Sequence, residues 1–441
     1  MIDNLYSFVK NSISVFGTRI VLILISIISS VVVTRILGPS NRGALEVLFL
    51  IPYLLVSFGN LGIGNANLHF VGKKKYSIQK IAANSLVLSL MLGAVLLLIA
   101  YGSFLIYRGS FFKDIAPYYM HFAFSLIPFL LFQKFIQYTL LGEEEIGYRN
   151  IIVAFPAVIN FIAVIILVLV LRLSLLGALS ASLASNVFAA ALCYILVSKK
   201  TEIKLRFDYE LFIRSVKFGI VPFLALVIMN LNFRADVFLI KYYLDNTAVG
   251  LYSLGVSVVE KITLLPEAIG LVLFSRISNI SEGEANNLTP LVCRWSLLFS
   301  VVAGIILFAL ADFLIPFVYG REFQLSVKPL MILIPGIISL TIFLILHGDL
   351  TGRGKAKLTL YVFFGALVLN IVLNLFFIPA YGINGAALAS TLSYSIGAFG
   401  LVFAFSRVNS VPLGSLLWLE KDDVNKYLIP FWVKMRAKLF I

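Results

Sequence analysis

The amino-acid sequence predicts an all-α polytopic membrane protein of about twelve transmembrane helices in two parallel six-helix repeats. Hydrophobic residues fill 61% of the 441 positions and charged residues only 13%, about half the charged fraction of a soluble domain. Apolar runs of ~20 residues, enough to cross a ~30 Å hydrocarbon core, recur along the whole chain. In addition, landmarks of the first half return in the second half at nearly constant spacing.

Each predicted span is a long apolar segment bounded by glycine, proline or charged residues. The segment from Val33 to Phe49 ends the first helix, turns at Gly38-Pro39 and again at Asn41-Arg42-Gly43, and begins the second helix. The spans of the first half cover about 12–37, 44–70, 80–107, 117–142, 149–172 and 174–198, and those of the second cover about 213–244, 248–278, 290–312, 327–351, 357–378 and 382–405.

The repeat spacing is 207–210 residues. The matched landmarks are Gly43 with Gly250, Pro128 with Pro335, Gly142 with Gly352, and the segment Gly177–Ser182 with Gly385–Ser390. Because six is an even number of spans, both halves enter the membrane from the same side, which makes the repeats parallel. We therefore expect an N-terminal lobe over 1–205, a C-terminal lobe over 206–405, and a membrane-surface tail over 406–441.

The basic residues between the spans predict the orientation. Of the 35 Lys and Arg residues, 23 fall on the side that carries both termini and 8 on the other side, so both termini are expected in the cytoplasm. The net charge of +14 is thus explained by topology and does not indicate a nucleic-acid partner. No cofactor or metal pattern is found, since Cys193 and Cys293 lack ligand spacing.

The remaining basic residues fall inside predicted spans, where each costs roughly 2.5–3.5 kcal/mol near a helix centre. They are Arg19, Lys134, Arg234 and Lys261. Two readings stay open for them: their side chains snorkel to the head groups, or they face a cavity that binds an anion. Acidic residues inside the spans belong mainly to the second half, and Asp236 and Glu260 are candidates for ion coupling.

Three motifs resemble those of a known family. Val32-Val-Thr-Arg-Ile-Leu-Gly-Pro-Ser-Asn-Arg-Gly-Ala-Leu45, Leu140-Leu-Gly142 and Tyr381-Gly-Ile-Asn-Gly-Ala-Ala-Leu-Ala-Ser390 are similar to segments of bacterial polysaccharide-repeat-unit flippases, the O-antigen and capsule type. These flippases belong to the multidrug/oligosaccharidyl-lipid/polysaccharide exporter superfamily. The resemblance covers about residues 8–405 and implies a two-lobed body with a central cavity that opens alternately to either side.

The resemblance also implies a function. It predicts movement of undecaprenyl-diphosphate-linked oligosaccharide from the inner to the outer leaflet of the bacterial cytoplasmic membrane, without catalytic residues. The four basic residues inside the spans would bind the diphosphate. Expected partners are this substrate, membrane lipids, and polysaccharide polymerase and chain-length proteins. Two alternatives stay open: a multidrug or cation exporter of the same fold, and a membrane glycosyl-polymer enzyme, which would need a larger outer loop.

Overall fold

The computed structural model describes residues 2–143, 146–202 and 205–419. Within these ranges, side chains are described except those of residues 2–21, 146–147, 149–150, 221–222, 225–226 and 275. All regular secondary structure in this part of the chain is helical, which confirms the predicted all-α class. The last 22 residues of the predicted membrane-surface tail, 420–441, lie outside the described residues.

Fifteen α-helices follow one another along the described residues. They are α1 Ile2–Gly59, α2 Ile63–Gly72, α3 Ile78–Tyr107, α4 Pro117–Phe124, α5 Leu126–Gly142, α6 Ile146–Val164, α7 Ser174–Ser198, α8 Tyr209–Asn232, α9 Ala235–Tyr243, α10 Asn246–Val259, α11 Leu264–Ile277, α12 Glu282–Tyr319, α13 Val327–Gly352, α14 Ala356–Asn409 and α15 Leu413–Leu417. A π-helical turn, Ile165–Val170, extends α6, and 3₁₀ turns cover Glu260–Thr263 and Arg321–Ser326.

Eight helical stretches in the described residues are long and apolar enough to cross a membrane. One of them, Ala356–Asn409, contains two of the predicted spans, and another, Leu22–Gly59, includes parts of the first two. The stretches also expose many large apolar side chains, such as Leu98, Ile106 and Phe376. Because a soluble protein rarely exposes so much apolar surface, these side chains are suited to contact lipid. The protein is therefore a multi-pass membrane protein.

A single residue interrupts α1. Gly38 has φ 67° and ψ 174°, and the helix resumes at once with Pro39. Glycine tolerates the positive φ, and proline suits the first turn of a helix because its missing N–H would have no helical partner there. The predicted turn at Gly38-Pro39 is confirmed, whereas the second predicted turn at Asn41–Gly43 is wrong, since these residues are helical. One glycine with a positive φ is therefore enough to end one span, and the next span begins directly after it.

Several predicted spans are less regular than expected, among them the second, the seventh and the eighth. The second breaks between Gly59 and Ile63, where Gly62 has φ 77°. The seventh breaks at Phe233–Arg234, between α8 and α9, and the eighth tightens into the 3₁₀ turn at 260–263. Pro266 explains the last of these, because a proline cannot donate the hydrogen bond that residue 262 would accept. No glycine or proline marks the break at Arg234.

The chain packs into two compact units. The first comprises Met1–Gly250 and Val318–Phe323, and the second comprises Leu251–Phe317 and Gln324–Ile441. The first unit extends past the repeat boundary predicted at 205/206, because α8 packs against α1 and α2, and α9 packs against α1. A core cluster of this unit joins α3, α5, α6 and α7 through Ala82, Phe132, Ile136, Leu140, Ile152, Ala190, Cys193, Leu196 and Val197.

The matched glycines of the two repeats meet inside this first unit. A Cβ atom at Gly43 would overlap the backbone carbonyl of Asn246, and a Cβ atom at Gly250 would overlap that of Pro39. The start of α10 therefore packs against the start of the second span with backbone touching backbone. Only glycine permits so close an approach.

Candidate functional site

A cavity of about 370 Å³ lies inside the first compact unit. One face of α1 supplies most of its wall, because residues three or four positions apart lie on the same side of a helix. Single residues from α5, α8 and α9 and the break between α8 and α9 complete it. The lining residues are Glu46, Phe49, Leu50, Tyr53, Leu54, Ser57, Lys134, Asn230, Arg234 and Val237. We call this the charged cavity.

Two of the four basic residues predicted inside spans, Lys134 and Arg234, line the charged cavity together. Lys134 projects from α5. Arg234 occupies the N-cap position of α9, and its backbone is not helical (φ −130°, ψ −10°), so its side chain does not follow the helical spacing of α8. Within the described residues, neither side chain makes a hydrogen bond or an ion pair. The cavity thus presents two positive charges that the described part of the protein leaves uncompensated.

The cavity also contains an acid that sequence reasoning left out of the site. Glu46 pairs with Arg42, one helical turn earlier, with Nη2 2.6 Å from Oε1. The sequence could have predicted this pair, because opposite charges four residues apart lie on the same face of a helix. Because Arg42 neutralises Glu46, the carboxylate does not cancel the charges of Lys134 and Arg234. The side chains of the charged cavity and this pair together carry a net charge of +2.

A second cavity of about 320 Å³ lies in the same unit, between the two halves of α1 and helices α6 and α7. Its polar lining consists of Ser26, Ser29, Ser30, Arg42, Tyr53, Asn160 and Ser182. Phe49 and Tyr53 line both cavities, and their rings meet edge to face with centroids 6.1 Å apart. We call this space the hydroxyl cavity, because serine hydroxyls dominate its polar surface.

The other predicted site residues are placed differently. Arg19 lies on α1, but its side chain is outside the described residues. Lys261 belongs to the second compact unit, where it is exposed in the 3₁₀ turn next to the half-buried Glu260. Asp236 is buried in α9, two residues from the exposed Arg234, and its Oδ1 accepts a hydrogen bond from the Val237 amide.

The family of this protein can be identified from its sequence. A family described as polysaccharide biosynthesis protein matches residues 32–328, which include the residues that line the charged cavity. The chain belongs to this polysaccharide biosynthesis family. The predicted recognition is thereby confirmed, because the matched segment covers more than half of the chain and includes parts of both predicted repeats.

Two relatives agree with this assignment. A Shigella flexneri protein named provisionally as an O-antigen transporter is 25% identical over 446 residues, covering 92% of this chain and 99% of the relative. A Haloferax volcanii protein with the provisional name of low-salt glycan biosynthesis flippase is 26% identical over 201 residues, covering 41% of this chain and 42% of the relative.

Solved structures establish the fold. The lipid II flippase MurJ in an inward closed conformation superposes with a TM-score of 0.74 at 17% identity, covering 97% of this chain and 93% of that chain. An inward-facing multidrug-resistance transporter of the MATE family superposes with a TM-score of 0.72 at 15% identity, covering 88% of this chain and 95% of that chain. The predicted fold class, a transporter fold built of helical repeats, is confirmed.

Proposed function

We propose that this protein is a flippase that moves undecaprenyl-diphosphate-linked oligosaccharide from the inner to the outer leaflet of the cytoplasmic membrane. One observation carries the proposal: Lys134 and Arg234 face one cavity without a counter-ion in the described residues. Membership of a polysaccharide biosynthesis family and the names of the Shigella and Haloferax relatives support the same class of substrate.

A diphosphate diester suits the charges of the cavity. It carries about two negative charges, which equal the net charge of +2 of the cavity side chains and the Arg42–Glu46 pair. Lys134 acts as a mobile point charge, whereas the planar guanidinium of Arg234 can hold two phosphate oxygens at once. An uncompensated cation inside a membrane protein is costly, so bound phosphate stabilises the cavity.

Arg19 and Lys261 are proposed to contact the diphosphate at other stages of its passage. Arg19 lies 16 residues before Arg35 on α1, which corresponds to ~24 Å along a helix and places it towards the cytoplasmic side of the predicted span. Lys261 belongs to the opposite predicted lobe. With both residues the protein would compensate the phosphate charge along the path, while the polyprenyl chain stays in the lipid.

A drug or cation exporter of the same fold would need a free acidic group in its binding cavity. Glu46 is the acid of the charged cavity, but its ion pair with Arg42 leaves it without an available charge. The excess of positive charge therefore favours an anionic substrate. Transport of this kind requires binding and conformational change but no catalytic residue.

The proposal is tested with purified protein in proteoliposomes that contain labelled lipid-linked oligosaccharide. Transport is measured as the fraction of the label that becomes accessible to an impermeant glycosidase. Each charge-assisted hydrogen bond to phosphate contributes about 1.5–3 kcal/mol, so Lys134→Ala and Arg234→Ala should each lower transport about 10- to 150-fold. Lys328→Ala, which removes an exposed lysine from the first turn of α13, is the control and should transport normally.

The combined Lys134→Ala/Arg234→Ala variant decides between the two readings of these cations. If both side chains only snorkel to head groups, removing them should be harmless or should raise the yield of folded protein. Normal transport by the double variant, at normal protein level, would show that the charged cavity does not bind the diphosphate.

A further inference from the structure

The hydroxyl cavity presents hydrogen-bonding groups that the protein itself does not satisfy. Within the described residues, the hydroxyls of Ser29, Ser30 and Ser182 form no hydrogen bond. The Asn160 side-chain oxygen is fully shielded from solvent and likewise has no partner among them. Buried polar groups in proteins are almost always satisfied, and each exception requires an explanation. A ligand with several hydroxyl groups would satisfy donors and acceptors alike.

The polar positions of the hydroxyl cavity can be compared with their matches in the second repeat, where the corresponding residues are fully buried. Asn370 and Ser390 occupy the repeat positions of Asn160 and Ser182, and both are fully buried. There, the Asn370 side-chain amide donates to the Ser390 hydroxyl at 3.2 Å and to the Ser393 hydroxyl at 3.1 Å. The same polar pair is therefore satisfied by the protein in one repeat and left open in the other.

One difference in side-chain size accompanies this contrast at a repeat-matched position. Tyr252 is fully buried in the second unit, and its hydroxyl lies 3.5 Å from the Ser390 hydroxyl. The matching position in the first repeat is Leu45, which lines the hydroxyl cavity. Leucine is smaller than tyrosine and carries no hydroxyl, so it leaves both the volume and the polar groups available.

The two cavities of the first unit adjoin at Phe49 and Tyr53. In a lipid-linked oligosaccharide the first sugar is bonded directly to the diphosphate, so a site for that sugar must border the site for the phosphates. We propose that the hydroxyl cavity binds the diphosphate-proximal sugar of the substrate, an inference that rests on the function proposed above. The hydroxyls of Ser29, Ser30 and Ser182 form hydrogen bonds with its hydroxyl groups, and the Asn160 side chain does so once its amide rotates to present the shielded oxygen to the cavity. The rings of Phe49 and Tyr53 cover the apolar C–H face of the sugar.

The lining of the cavity distinguishes a sugar from other occupants. A polyprenyl chain would leave the Asn160 oxygen and the serine hydroxyls unsatisfied, which is costly in a water-poor site. An organic cation would need a carboxylate, and the lining residues that the structure describes include none. The volume of about 320 Å³ falls at the lower end of the ~300–1,000 Å³ range of ligand pockets, which suits a small part of the substrate.

The test compares probes that differ only in the sugar. The reference probe, called farnesyl diphosphate below, carries a methyl ester on its terminal phosphate, so that it has the same two negative charges as the sugar-bearing probes. The others are farnesyl diphosphate linked to glucose, to galactose or to N-acetylglucosamine. Binding to purified full-length protein in detergent is measured by calorimetry. Two or three neutral hydrogen bonds are worth about tenfold in affinity, so at least one sugar-bearing probe should bind the wild-type protein about tenfold more tightly than farnesyl diphosphate.

Two variants remove the sugar site in different ways. Leu45→Tyr introduces the larger side chain that the second repeat carries at the matching position, Tyr252. Asn160→Ala removes a side chain that would bond the sugar, without adding volume to the cavity. Both should abolish the preference for the sugar-bearing probe and leave the affinity for farnesyl diphosphate unchanged. Ser89→Ala, a loss of a buried hydroxyl on α3 outside both cavities, is the control and should keep the preference.

The outcomes separate this inference from the proposed function. If wild-type protein binds farnesyl diphosphate but prefers none of the three sugar-bearing probes, the sugar site is wrong and the flippase proposal stands. A preference that survives in both Leu45→Tyr and Asn160→Ala places the sugar elsewhere and also overturns the site. If wild-type protein binds none of the probes, the proposed function fails, and the sugar site fails with it.

Discussion

Replacing Asp349 by asparagine should destabilise the second compact unit strongly. Asp349 and Arg353 form an ion pair near the end of α13, with Nε 2.6 Å from Oδ1 and Nη2 3.1 Å from Oδ2. The side chains are 0% and 4% exposed, respectively. Thr289 of α12 donates to Asp349 Oδ2 at 2.5 Å, and Arg353 donates to Asn409 Oδ1 at 3.3 Å. The ion pair and its two further hydrogen bonds therefore connect α12, α13 and α14 at one end of these helices.

The size of the effect follows from these contacts. Asparagine keeps the shape of the side chain but removes its charge, so the three charge-assisted hydrogen bonds to the carboxylate, about 1.5–3 kcal/mol each, are weakened. Arg353 is left as a buried cation without its counter-ion, a change that typically costs 3–5 kcal/mol. Glu210→Gln is the matched control, because its pair with Arg214 is 69% and 59% exposed. An exposed pair of this kind contributes about 0–1 kcal/mol.

The free energy of unfolding is measured by SDS titration in dodecylmaltoside, followed by tryptophan fluorescence that includes Trp295 on α12. Asp349→Asn should lose about 3–5 kcal/mol. The double variant Asp349→Leu/Arg353→Met should recover much of this loss, because burying two apolar side chains leaves no unpaired charge. A loss in Asp349→Asn no larger than in Glu210→Gln would refute the reasoning, since burial would then add nothing to this ion pair.

Four further predictions follow from the sequence and the structure. Gly43→Ala should destabilise the protein by about 1–3 kcal/mol in the same titration, because its Cβ would overlap the Asn246 carbonyl. Gly102→Ala is the control and should be harmless, because the space around Gly102 is open. Equal losses of stability in the two variants would contradict the close packing at Gly43. Reporters fused to the 199–206 linker and to the C-terminal tail should be active only in the cytoplasm, and outward activity would reverse the topology. An inside-negative potential should drive export in proteoliposomes by ~2.3 kcal/mol per charge per 100 mV; flipping that ignores both the potential and ion gradients would remove this driving force and the coupling role of Asp236 and Glu260. Arg19→Ala and Lys261→Ala should each abolish surface polysaccharide at normal protein level, and full complementation by both would exclude them from the path.

Much of the fold could be predicted because its signals are local. Apolar runs of span length and glycine–proline turns act over a few residues, and Gly38 with Pro39 illustrates this well. The match of Gly43 with Gly250 also had a physical basis, since both lie where backbones touch. The wrong turn at Asn41–Gly43 has the same origin: turn-forming residues were present, but Gly43 serves close packing, not a reversal of the chain.

The candidate site was only partly predictable because its geometry is not local. The free-energy cost of a charged side chain inside a membrane span identified Lys134 and Arg234 as candidates. Nothing in the sequence placed the two in one cavity. The break that exposes Arg234 carries no glycine or proline, so α8 and α9 were expected as one span. Glu46 was not among the predicted site residues, and its pairing with Arg42 became decisive only when the cavity was located.

The charged cavity draws its residues from both copies of the duplicated segment. Lys134 and the α1 face come from the first copy, while Asn230 and Arg234 come from the second. An ancestral six-helix protein, as it existed before duplication, could not have assembled this wall from one chain. It could have done so only as a homodimer, with the α8-like helix of one copy against the α1-like helix of the other, and a two-fold dimer would have carried two equivalent walls. Fusion into one chain frees the copies from this symmetry, which is why the hydroxyl cavity can be open beside Leu45 in the first repeat while Tyr252 occupies the matching position of the second.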